Sequence, residues 1–214
     1  MDYNSKIENL YPKEFEILRK YGQLKDEWAN VYEHCKTESV IALVISDLLK
    51  LKKDEKDILA KAAILHDWYK RKERETQEYN KSAKDSYNKL LELGVDKRIV
   101  DIAHSVGHTS LLDIQATHDF LKKIMHFIDD ITFGNEIVEI DERIDELEKA
   151  ERYKELNEGG RVVYNGRTYF EVQREVGVKI QCEIEELINE TNLEELIKKG
   201  ELVQAIKINI KRYY

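Results

Sequence analysis

Apolar residues recur at helical spacing along most of this chain. Val40, Ile41, Leu43, Val44, Leu48 and Leu49 mark one stripe, and Ile58, Leu59, Ala62, Ala63 and Leu65 mark a second. Residues three and four apart share a helical face, so both segments predict core helices. A third helix is expected from about Asn80 to Leu93, ending at Gly94, and Asp96 can cap the next, DKRIVDIAHSV, which runs to Gly107. The periodic segment from Leu111 to Phe133 runs into Gly134. After it, NEIVEIDERIDELEKAERYKEL reads as a charged amphipathic helix on the surface. Pro12 is the only proline among the 214 residues, so few positions force a helix to stop.

The texture changes once, at EGGRVVYNGRTYF. Asn165-Gly166 between two β-prone runs is a strong short-range hairpin signal and predicts a β-hairpin over 161–170. Helical patterning returns in VKIQCEIEELI, while VQAIKINIKRYY alternates and fits helix or strand. There is no internal repeat and no low-complexity linker. The expected fold class is therefore all-α: a helical domain over 1–150 and a packed, dependent C-terminal extension over 151–214 that carries one small hairpin.

Composition narrows the function classes. Hydrophobic residues make up 42% and charged residues 36%, which is globular rather than disordered. A net charge of -8 and a pI near 5.4 oppose a long phosphate-tracking surface, so no nucleic-acid partner is expected. A small anionic substrate stays compatible, because a metal and a few local cations dominate the field close to them. Cys35 and Cys182 form no CxxC pattern and predict neither a disulfide framework nor a thiolate zinc site. The polar start MDYNSKIENLYPKEF and the lack of any apolar run of about 18 residues predict no leader and no membrane span, hence a cytoplasmic location.

The six histidines all fall between positions 34 and 126. His66-Asp67 ends the apolar run Ala62–Leu65, so a polar pair emerges from a helix that must otherwise be buried. Buried polar groups need partners. A metal supplies one, and a mixed imidazole and carboxylate shell suits Mn, Fe, Co, Ni or Zn better than Mg. Lys70 shares a helical face with both residues, where its ammonium can meet a phosphate or hold a carboxylate. His104 and His108 are spaced i, i+4, but no HExxH pattern accompanies them. His126 reads as a packed histidine. A second doublet, His118-Asp119, follows the polar DIQAT and is expected to carry no site.

The segments VYEHCKTESV, AAILHDWYK and KIMHFIDDIT together resemble the H…HD…D signature of the HD superfamily of metal-dependent phosphohydrolases, over roughly 30–135. That resemblance implies a helical HD-domain bundle with His34, His66, Asp67 and Asp129 as ligands of one divalent transition metal. Asp129 rather than Asp130 matches the late motif, through Ile128, Asp129, Asp130 and Ile131. Lys70 matches the HDxxK form. Some two-metal members, the diadenosine tetraphosphatases of HD type among them, carry two further histidines between the doublet and the late Asp. GVDKRIVDIAHSVGHT resembles the second of these motifs, with His108 as the equivalent, whereas EYNKSAK lacks the first.

The implied activity is hydrolysis of a nucleotide or another small phosphorylated metabolite through a metal-activated water. Asp67, Lys70 and His108 are the expected catalytic groups, and Lys70, Arg71, His104 and His108 the expected substrate contacts. Competing expectations are a dinuclear iron oxygenase of the same superfamily and a non-catalytic regulatory module. The hairpin and the acidic C-terminal third are candidates for a homodimer contact or a lid.

Overall fold

The computed structural model describes residues 5–22, 31–76, 79–106, 111–192 and 196–213. The chain opens with α1 (Ser5–Leu10), α2 (Pro12–Tyr21), α3 (Val31–Leu48), α4 (Lys53–Leu65), α5 (Lys70–Thr76) and α6 (Tyr79–Glu92). It continues with α7 (Lys97–Ala103), α8 (Leu111–Ala116), α9 (Phe120–Asp130), β1 (Thr132–Phe133) and β2 (Glu136–Ile137). It closes with α10 (Ile140–Lys149), a 3-10 turn (Glu151–Tyr153), α11 (Lys154–Val163), α12 (Tyr169–Thr191), α13 (Leu202–Asn209) and a 3-10 turn (Ile210–Arg212).

The fold is all-α with one small antiparallel hairpin, as expected. One hydrophobic core runs from Ile7 to Ile206, with α3 through its middle. Nearly every residue of α3 is buried, so its polar residues His34, Lys36, Thr37, Glu38 and Ser39 lie inside the protein with the apolar ones. Helix α4 packs along α3, and its last turns, Leu59 to Leu65 apart from Lys61, are buried. The doublet His66-Asp67 thus emerges at an interior position. The boundaries expected around Gly94 and Asp96 are present. Gly94 has a φ of 73° and closes α6 through bonds from the Gly94 and Val95 amides to the Leu91 and Leu90 carbonyls, while the Asp96 side chain accepts from the Arg98 amide.

The hairpin lies elsewhere than expected. Residues 161–170 end α11, turn, and begin α12. Asn165 and Gly166 do take positive φ, 54° and 88°, as a hairpin turn would need, but they join two helices. Two effects, one local and one tertiary, override the β preference. Thr168 and Glu171 form a capping box that starts α12. Tyr164, Thr168, Tyr169 and Phe170 are also buried together, which the alternating exposure of a strand would prevent. Helix α11 can approach this closely because residue 160 is glycine: a Cβ there would lie 2.2 Å from the Tyr169 amide nitrogen.

The observed hairpin pairs Thr132 with Ile137 and Phe133 with Glu136 across Gly134-Asn135. Gly134, at φ 62°, supplies the left-handed residue of the turn. Helix α10 has the expected exposed acidic face, but Ile140 and Ile144 bury its inner side. The described residues between 151 and 213 pack on the rest: α12 lies against α8, α9 and α10, α13 lies against α3, and the Asn192 amide donates to the Leu48 carbonyl at 3.2 Å. The ambiguous end is helical over Leu202–Asn209, followed by the 3-10 turn Ile210–Arg212. Among the described residues no helix is long and apolar enough to cross a membrane.

Candidate metal centre

Four side chains meet where α3, α4 and α9 come together. His34 and Glu38 stand one turn apart on α3 and face the same way. His66 follows the last turn of α4, and Asp129 sits at the end of α9. One donor atom from each lies within 4.8 Å of all the others. Donors held by one ion at about 2.0–2.2 Å are at most about 4.4 Å apart, so little contraction is needed to close on a cation.

Hydrogen bonds orient both imidazoles. His34 Nδ1 is 2.7 Å from the Gly134 carbonyl oxygen, and His66 Nδ1 is 2.9 Å from that of Ala63. An Nδ1–H donated to a backbone carbonyl fixes the ring and leaves Nε2 for a ligand, the usual arrangement of metal-ligating histidines. His34 Nε2 lies 3.1 Å from Glu38 Oε1 and 3.8 Å from Asp129 Oδ1, and His66 Nε2 lies 3.8 Å from Asp67 Oδ2. Glu38 is fully buried, with Oε2 3.0 Å from His66 Nδ1. Neither Glu38 oxygen completes a hydrogen bond, and neither does His66 Nε2. A buried carboxylate left this way is costly, and a cation among the four side chains would satisfy it. Two imidazoles and two carboxylates form a donor set that fits a divalent transition ion.

The electrostatics agree. Burial alone would depress the His34 imidazole, but Glu38, then Asp67 and Asp129, lift its pKa to about 9. A metal at Nε2 would compete with a proton for that nitrogen. Burial opposes ionisation of Asp67, yet Lys70 at 3.2 Å, with His66 and His34, holds that carboxyl well below the usual range. Asp129 is held low against the same penalty, first by Arg143 at 3.0 Å. Asp130 is raised by burial; it accepts from Gln173 at 2.6 Å and lies 3.4 Å from His126 Nε2. Asp129 is thus the member of the pair that faces His34 and His66.

A cleft of about 640 Å³, its open mouth included, adjoins the group. His66, Asp67, Lys70, Asp129 and Arg143 line it, with Tyr153 and Phe170 among the apolar walls. Of the residues singled out from sequence, His34, His66 and Asp129 come together, Asp67 borders them, and Lys70 lines the cleft. Arg71 is exposed and paired with Glu75 at 2.9 Å, away from the cleft. His104 also stands outside the lining, with Nε2 3.4 Å from Ser86 Oγ and its ring against Tyr87. His108 lies outside the described residues. His126 is packed, as expected, and touches the cleft.

Sequence reasoning missed two groups. Glu38 had a signal, since it follows His34 at i+4 in HCKTE and so shares its face. Arg143 had none, because only the fold back through the β1–β2 hairpin brings it to Asp129. Comparisons with protein-family models, curated proteins and solved structures find no match for this chain.

Proposed function

We propose that this chain is a cytoplasmic metal-dependent phosphohydrolase of the HD type that acts on a nucleotide or another small phosphorylated metabolite. The buried Glu38 carboxylate, set between two histidines without a completed hydrogen bond, is the observation that carries the reading. The H…HD…D resemblance of the sequence supports it. His34, His66, Asp129 and Glu38 would hold one ion of Mn, Fe, Co, Ni or Zn, with Asp67 bordering it. Such an ion, when bound, supplies Lewis-acid polarisation of a phosphoryl oxygen and makes a water nucleophilic near neutral pH.

The side chains account for the remainder. Lys70 lines the cleft and meets the anionic phosphate, the work that positioned cations do in phosphoryl transfer. Asp67, kept ionised by Lys70, accepts a hydrogen bond from the attacking water and orients it. Leu147, Tyr153 and Phe170 give the cleft an apolar side that limits competing solvent around the phosphate.

The test is metal content per chain on purified protein, paired with a screen of phosphate release from nucleotides and sugar phosphates with Mn, Co, Ni or Mg added. About one metal per chain together with release from one substrate class is the expected result. Two irons per chain without release would replace this reading with an iron oxygenase, and a protein that takes up no metal would replace it with a regulatory module.

A further inference from the structure

Beyond the four side chains, the group has a common support. His34 Nδ1 is held by the Gly134 carbonyl at the tip of the β1–β2 hairpin, and Thr37 Oγ1, on the same helix, donates to the adjoining Asn135 carbonyl at 3.4 Å. At the base of that hairpin the Thr132 carbonyl accepts from Arg143 Nη1. The other arm of the same guanidinium, Nη2, donates to Asp129 Oδ1 at 3.0 Å. The hairpin itself is tied to α9, since Thr132 Oγ1 donates to the Ile128 carbonyl at 2.8 Å and the Val138 amide to the Ile131 carbonyl at 2.9 Å. Two members of the group, from helices far apart in sequence, are thus tied to one hairpin, His34 directly and Asp129 through Arg143 of α10.

We propose that Arg143 and the β1–β2 hairpin form a single orienting frame for the metal group, in which the Gly134 carbonyl aims His34 and Arg143 aims Asp129. This inference rests on the reading that the group holds a divalent cation. Arg143 is a positioning residue here: its planar fork spans two acceptors in fixed directions, which one ammonium cannot reproduce. The Arg143 side chain is only 12% exposed, so its two hydrogen bonds are largely shielded from water. Neutralising Asp129 would need only a nearby charge, whereas orienting it needs the fork. The two roles therefore part company in a lysine variant.

The experiment titrates Mn(II) into the full-length protein, stripped of metal, by calorimetry, with circular dichroism melts as a control of folding. Removing an outer hydrogen-bond partner of a ligand typically weakens metal binding by about 10- to 100-fold, and Arg143→Gln is expected to fall in that range. Arg143→Lys, which keeps the charge, should fold and still lose about 10-fold, and Gly134→Ala should weaken binding through the other arm of the frame. Arg98→Gln, which breaks an ion pair with Asp119 elsewhere, should leave affinity unchanged. A folded Arg143→Lys protein that binds Mn(II) like wild type would overturn the frame alone, whatever Arg143→Gln does, and so would an equal loss in Arg98→Gln. Wild-type protein that binds neither Mn(II) nor Zn(II) would overturn the metal reading beneath it.

Discussion

The chain contains two stretches of the form HDxxK, HDWYK at 66–70 and HDFLK at 118–122, and the structure treats them oppositely. The first follows Ala62–Leu65, all fully buried, and enters the interior beside α3 and α9. There His66 is 3% exposed at its side chain, and Asp67 meets Lys70 at 3.2 Å. The second follows the exposed end of α8. His118 points to solvent, and Asp119 grips Arg98 with both carboxylate oxygens. Identical letters at identical spacing therefore have different fates, decided by whether the preceding turn is buried. Burial removes water as a partner, and the polar pair must then find another.

The comparison can be broken most sharply at the histidines. His66→Ala should abolish metal binding, and His118→Ala should leave it intact. Mn(II) at about 100 times its Kd should stabilise the wild type and His118→Ala by about 2.7 kcal/mol, a rise of about 5–10 °C in melting temperature, with none for His66→Ala. A shift that survives in His66→Ala would remove the first doublet from the site. Glu38→Gln keeps the shape of its side chain but loses the charge, and should cut Mn(II) affinity at least as far as an outer-partner loss does, about 10- to 100-fold. Unchanged affinity there would leave Glu38 as a mere partner of the histidines.

The lysines come next. Lys70→Ala should retain the metal and lose about 100-fold in turnover, the usual scale for removing one donor to a developing charge, while Lys122→Ala should turn over normally. Equal losses in both variants would show that neither acts locally. The smallest effect belongs to Asp119→Ala. Its pairing with the 42%-exposed Arg98 side chain is screened by water, so a denaturant titration should find a loss of about 1 kcal/mol or less and the Mn(II) isotherm no change. A larger loss would mean that the second doublet supports the bundle.

Much of the fold was legible because it rests on local rules. The stripes on α3 and α4, the stop at Gly94 and the cap at Asp96 each depend on residues within a few positions of one another. The hairpin was misplaced for an instructive reason. Asn165-Gly166 does adopt the left-handed turn its residues favour, but the same turn can join helices. The competing signal, Thr168 and Glu171 as a capping box, is equally local and could have been weighed against it. Gly134-Asn135 stood where one helical run was expected to end and the next to begin, and only the β pairing makes a hairpin of that junction.

By itself the sequence determined the helical class, the buried approach to His66-Asp67 and the identity of three side chains that meet, His34, His66 and Asp129. Periodicity and burial express themselves along one helix at a time, so they can be read from one segment at a time. The tertiary structure alone decided that Arg143 rather than Arg71 lines the cleft and that His104 turns to Ser86. Those outcomes depend on distances between helices distant in sequence. They are set by how α3, α4, α9 and α10 pack, and no spacing within a single segment encodes that.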